Sequence, residues 1–223
     1  MEKTLSEQPA VALSGTGRLA DDLWLMAHNE MSGRPHLAPR AAGLGLAGAL
    51  LAELVLAGSI GIWPAGIAAA GRPAPADGLA NAVLGLVLSE REQHAVRDWL
   101  LFLGRTAEGD VARRLGEAGY LDRVSSRRPW RGQRWVPVDA TCAFAPVGRV
   151  LAVLDPSRPV PVPAAALAGL AAACGLGPRV LMYAPPKARR GLEDAAGQLP
   201  PGLRYLIAQT RAAVDSAVLA PRA

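Results

Sequence analysis

GLGLAGALLAELVLAG, residues 43–58, decides how this chain is read. Leu44, Leu46, Leu50, Leu51, Leu54, Val55 and Leu56 project to all sides of a helix instead of along one stripe, so the helix needs packing partners all round. Ala47, Gly48, Ala49 and Ala52 are small enough to let those partners come close. Glu53 is its one charge. The run falls short of the roughly 20 apolar residues that a bilayer crossing needs, and its flanks do not extend it. The expected architecture is therefore mainly α, a single helical domain built around a core helix at about 43–58, covering residues 17–223. The polar, glycine-punctuated residues 1–16 read as a disordered leader.

Upstream, Leu19, Leu23, Met26 and Ala27 recur at helical spacing behind Asp21 and Asp22, which predicts a helix over 18–30. GRPHLAPR, residues 33–40, is a basic loop feeding the central helix. Downstream, SIGIW and GIAAA flank Pro64-Ala65 and predict a small β-hairpin at about 59–70. Helices follow at 79–88, 93–104 and about 111–118. YLDRVSSRRPWRGQRWVPV has apolar ends and a turn-rich, arginine-rich middle, which predicts a second hairpin at about 120–138. RPVPVP at 158–163 reads as an extended linker, and further helices are expected at 164–174, 178–184, 188–197 and 201–219.

Several chemistries find no support in the residues. His28, His36 and His94 are scattered at no ligand spacing and read as surface or loop histidines, which predicts no metal and no cofactor. GLGLAG at 43–48 lacks the Gly-Lys-Ser/Thr ending of a phosphate loop and the spacing of a dinucleotide fingerprint. Ser14 and Ser89 have no base nearby, and Glu90, Glu92, Asp98 and Asp110 read as helix-surface charges, so no enzyme is expected. Cys142 and Cys174 stand in no redox spacing and read as small core side chains of a cytoplasmic protein, since the start MEKTLSEQ has no signal-peptide core.

A net charge of +5 and a pI near 9.9 favour an anionic partner. The arginines say which. Arg123, Arg127, Arg128, Arg131 and Arg134 stand in the second hairpin with Trp130 and Trp135 interleaved. Guanidinium pairs with lipid phosphate while indole settles at the membrane interface, so the hairpin is the expected membrane contact. At about 1 kcal/mol per basic residue, five arginines supply at most ~5 kcal/mol, so stable attachment needs several copies or insertion of Trp130. A rival is a winged-helix DNA-binding domain, with a helix ending ARRLGEAGYLDR as recognition helix and the arginine-rich hairpin after it as wing. Glu108, Asp110 and Glu117 on that helix would face phosphates and weigh against nucleic acid. A third reading is a lipid-independent scaffold that binds peptide tails.

LADDLWLMAHNEMSGRP, AAGLGLAGALLAELVLAGSI, VRDWLLFLGRT with GDVARRLGEAGYLDR, and RWVPVD together resemble the Golgi phosphoprotein 3 family in its bacterial, actinobacterial form. The resemblance implies a helical domain ringed around one hydrophobic helix. It also implies peripheral membrane binding through phosphatidylinositol 4-phosphate, here on the inner face of the membrane. A hairpin serving membrane contact and oligomerisation, placed here at 120–138, and capture of protein cargo tails are further implications. The family's lipid pocket uses a tryptophan before the central helix, an arginine in that helix, and an arginine pair three residues apart. Those positions fall on Ala38, Ala47, and Arg105 with Glu108. Arg34 and Arg40 join Arg105 as candidate headgroup residues, and weak selectivity for the 4-phosphate is expected.

Overall fold

A computed structural model describes residues 16–72, 76–125, 133–153, 160–184, 191 and 197–219. The described elements are mainly helical, with two small antiparallel hairpins. In chain order they are α1 (Leu19–Ala27), α2 (Pro39–Leu56), β1 (Ile60–Trp63), β2 (Gly66–Ala69), α3 (Gly78–Ser89), α4 (Val96–Leu103), α5 (Ala107–Glu117), β3 (Leu121–Ser125), β4 (Gln133–Pro137), α6 (Ala140–Val153), α7 (Val162–Ala173), α8 (Gly177–Leu181) and α9 (Pro201–Leu219).

The central helix is α2, and it is enclosed as its all-round apolar pattern requires. It packs against α1, α3, α4, α5, α7, α9 and β1. Leu46, Leu51 and Leu54 have no exposed surface. The helix begins at Pro39, four residues before the apolar run, because proline's fixed φ suits the first helical position. At its end Ser59 N–H donates to the Leu54 carbonyl while Gly58 turns left-handed at φ 72°, closing the helix. With 18 residues α2 is long and apolar enough to cross a membrane, yet 72% of it is buried among its neighbours, which marks it as a core helix.

Both hairpins form where the turn chemistry placed them. Ile60 pairs with Ala69 and Trp63 with Gly66 in the first; Leu121 pairs with Pro137 and Ser125 with Gln133 in the second. Several boundaries differ from the sequence reading. α5 starts at Ala107, so Glu108 and Asp110 lie in its first turn, where acidic groups complement the helix dipole. α4 starts at Val96 instead of 93, and α7 starts at Val162 with a proline in its first turn, so the prolines of the expected linker run directly into a helix. α6 is a helix that periodicity missed. Pro146 lies inside it, although Asp139 caps its start by accepting from the Thr141 amide at 2.7 Å. The disordered leader falls on residues outside those described except at Thr16, and so does nearly all of the helix expected at 188–197.

Burial also corrects three side chains. His28 is buried, with its ring stacked on Trp24 at 3.7 Å one helical turn earlier. Cys142 is exposed, because it follows Asp139 on the outer face of α6; Cys174 is buried. Asp21 and Asp22 face inward, each against an arginine from a distant helix.

Candidate functional site

Tying α5 to the core begins with Arg114, on the inner face of that helix. Its guanidinium donates to Asp21 of α1 at 2.8 Å, to Glu53 of α2 at 3.2 Å and to Asp77 at the start of α3 at 2.7 Å. Glu53 also accepts the Ala20 amide at 2.8 Å. Burial pushes the Asp21 and Glu53 carboxyls up despite Arg114 beside them. The Asp77 carboxyl, nearer the surface, is held below its ordinary value because the Ala80 amide and Arg114 outweigh its burial. Burial alone would lower the Arg114 pKa, but Glu53 and Asp21 reverse that and raise it, so the guanidinium stays charged. Arg149 of α6 pairs with Asp22 on the neighbouring position of α1.

Anchored in this way, α5 presents its N-terminal turn to solvent beside a cleft of about 350 Å³. One wall is Arg105, Glu108, Gly109 and Ala112 from the start of α5 and the turn before it. Trp24 and His28 form the floor, Gly33 and Pro35 a second wall, and Arg134 with Trp135 of β4 the third.

Each wall has a local cause. The loop after α1 folds on itself because Asn29 Oδ1 accepts from Ser32 N–H at 2.8 Å, Asn29 O accepts from Gly33 N–H, and His28 bridges Pro35. Gly33 sits at φ 61°, and a Cβ there would stand 1.9 Å from the Trp135 carbonyl oxygen, so only glycine lets β4 close against this loop. Trp135 is seated in turn over Gly116 of α5, where a Cβ would meet its ring at 2.5 Å. Arg123 lies across the same indole, 4.7 Å from the ring centroid. The hairpin is thereby held against α5, and Arg134 is carried to the rim.

On the cleft floor His28 Nδ1 lies 2.8 Å from the Trp24 carbonyl oxygen and Nε2 lies 3.3 Å from Glu108 Oε1. Trp24 is buried, and its indole N–H has no acceptor among the described residues.

Of the residues singled out in sequence, the fold brings Arg105, Arg134 and Trp135 to one cleft, with Arg123 packed behind. Glu108 joins them. Arg34 and Arg40 are exposed and do not line it. Arg127, Arg128, Trp130 and Arg131 lie outside the described residues. Ala47 is in the core, and Ala38 lines a different groove with Cys174 and Arg211. Sequence reasoning missed Trp24, His28, Gly33 and Pro35 as cleft residues. The stacking of Trp24 on His28 at an i, i+4 spacing and the Asn-x-x-Ser-Gly turn were the available signals.

Among the described residues no group of three or more histidine, cysteine or acidic side chains is placed to hold a metal ion. The acidic cluster of Asp21, Glu53 and Asp77 is instead occupied by the Arg114 guanidinium.

No curated protein matches the chain. The profile of one family, Golgi phosphoprotein 3 (GPP34), matches residues 19–217, from the first residue of α1 almost to the end of α9. A match over nearly the whole described fold identifies the chain as a member of the Golgi phosphoprotein 3 family.

Proposed function

We propose that this protein is a non-catalytic, peripheral membrane protein that binds anionic lipid headgroups in the cleft between α5 and the β3–β4 hairpin, at the inner face of the membrane. The observation that carries this reading is the convergence of Arg105 and Arg134, from separate elements, on one open cavity. Two guanidinium groups offer forked donors that match phosphate geometry, and Trp135 beside them has an amphipathic ring suited to the headgroup level. The β3–β4 hairpin also leads directly into the arginine- and tryptophan-rich segment of residues 126–132. Family membership supports a Golgi phosphoprotein-like role, with phosphatidylinositol 4-phosphate as the ligand that the resemblance implies.

The headgroup site departs from the family pattern at Ala38, Ala47 and Glu108, and of these only Glu108 lines the cleft. Glu108 stands in the same wall as Arg105, so the cleft balances two arginines against one carboxylate. A multiply charged phosphoinositide gains less there than in a wholly basic pocket. DNA binding is disfavoured by the same residue and by Asp110, which pairs with Arg113 on the exposed face of α5 and takes up the helix's outward arginine.

Flotation on vesicles of phosphatidylglycerol in phosphatidylcholine tests the reading. The parent should bind in a salt-sensitive manner, and Arg105→Ala with Arg134→Ala should weaken binding by about tenfold at low salt. Absence of binding to any anionic vesicle, with duplex DNA shifted instead, overturns it.

A further inference from the structure

We infer that the cleft is built for a headgroup carrying a primary ammonium next to its phosphate, of which phosphoethanolamine is the simplest, with Glu108 receiving the ammonium and Arg105 and Arg134 the phosphate. This rests on the headgroup reading above and specifies its ligand.

The argument starts from His28. Its Nδ1 faces the Trp24 carbonyl oxygen at 2.8 Å, and a carbonyl only accepts, so Nδ1 carries the ring's hydrogen. In the neutral ring Nε2 is then a lone pair, and it stands 3.3 Å from Glu108 Oε1, a second acceptor. Two acceptors held face to face on the wall of a cavity call for a donor. A second proton on the ring supplies one. An N–H group on a ligand supplies the other, and an ammonium has three such hydrogens, enough to serve the imidazole nitrogen and the carboxylate together.

The other walls fix what accompanies the ammonium. Arg105 and Arg134 are acceptor-free cations and demand an anion. A plain phosphate leaves Glu108 facing like charge, whereas a phosphate ester of an amino alcohol satisfies both signs. A quaternary ammonium fits less well, because it has no hydrogen to donate and binds by aromatic caging. Each indole of the cleft already has a ring partner, His28 stacked on Trp24 and Arg123 over Trp135.

The test uses the full chain on vesicles of fixed phosphatidylglycerol content, with the remainder either phosphatidylethanolamine or phosphatidylcholine. The ethanolamine vesicles should bind about two- to fivefold more tightly, the effect of one partly exposed ion pair. Glu108→Gln, at a half-exposed position that tolerates the change, should bring the ratio of the two to one, and Glu108→Asp should restore part of it. An equal ratio in the parent, with binding to phosphatidylglycerol retained and no response to free phosphoethanolamine, overturns the ammonium assignment and leaves the headgroup reading standing. No binding to any of these vesicles overturns both. A preference that survives in Glu108→Gln belongs to bilayer packing and overturns the assignment. Free phosphoethanolamine separates the sources: if it moves the indole N–H resonance of Trp24 while the vesicle ratio is one, the ligand is a soluble ester and the lipid source is wrong.

Discussion

Arg114 of α5 and Glu53 of α2 form the joint on which the cleft stands, 61 positions apart in sequence and bonded at 3.2 Å in a site where the arginine is 7% exposed. Asp21 and Asp77 share the same guanidinium, so one cation ties α1, α2, α3 and α5 together. Arg114→Ala leaves the buried carboxylates of Asp21 and Glu53 without their main partner and should cost about 3–5 kcal/mol, as the shift of a urea denaturation midpoint. A variant as stable as the parent would show that α5 is held by packing alone.

The same cluster sets a pH dependence. Burial raises the Asp21 and Glu53 carboxyls above their ordinary 3.8 and 4.5. Just above those values the folded protein holds protons that the unfolded chain has released, so stability falls as pH rises through that window and is greatest below it. Asp77 acts oppositely: its lowered carboxyl contributes stability that is lost only as pH falls below 3.8. Denaturation midpoints should therefore rise from neutral pH towards pH 4.5, and Glu53→Gln should flatten the rise. Parallel curves for parent and variant would remove Glu53 from the account.

Enclosure of the central helix has its own test. Leu51 and Leu54 are fully buried on α2, and Leu51→Ala or Leu54→Ala should each cost about 2–5 kcal/mol through lost transfer energy and a residual cavity. Unchanged equilibrium denaturation in both variants would contradict the packing of α2 on all sides.

Seating of the hairpin depends on Gly116, which leaves room for the Trp135 ring. Gly116→Val should displace Trp135, destabilise the fold by about 1–3 kcal/mol, and weaken vesicle binding more than stability alone accounts for. Vesicle binding measured well below the unfolding transition separates the two effects. Parent-like binding in a destabilised variant would show that the proposed headgroup site does not depend on the hairpin's position.

The two thiols should report opposite environments. Cys174 is fully buried, which pushes its thiol up to about 12, while Cys142 is exposed with its thiol raised by a hydrogen bond to Asp139. A thiol reagent should label one cysteine in the native protein and the second only on unfolding, and Asp139→Asn should speed the first reaction. Two thiols reacting at equal rates would mean that the α7–α8 corner opens readily.

Selectivity follows from Glu108. Glu108→Arg replaces the carboxylate beside Arg105 with a third cation and should raise affinity for phosphatidylinositol 4-phosphate vesicles about tenfold, whereas the parent should favour that lipid only weakly over others of matched charge. Flotation on charge-matched vesicles measures both.

The mainly helical class, the buried central helix, both hairpins and the family are legible in the amino-acid sequence, because these rest on local signals. Leucines on every face of 43–58 leave no exposed side for α2, and the Pro-Ala-Gly turn after Trp63 admits only a hairpin. Pro146 hid α6 by the same locality, since a proline inside a helix reads as a break until the neighbours that retain it are seen. The tertiary structure alone decided which charges act together. Nothing in the spacing of Asp21, Glu53, Asp77 and Arg114 shows that they meet, and ion pairing over such separations depends on how helices pack. The cleft is the same kind of object: Arg105 and Arg134 are 29 positions apart, and they share one cavity because Gly33 and Gly116 let β4 close between the α1 loop and α5. Side-chain type fixed the chemistry each residue offers, and close packing at those two glycines fixed which residues line one cavity.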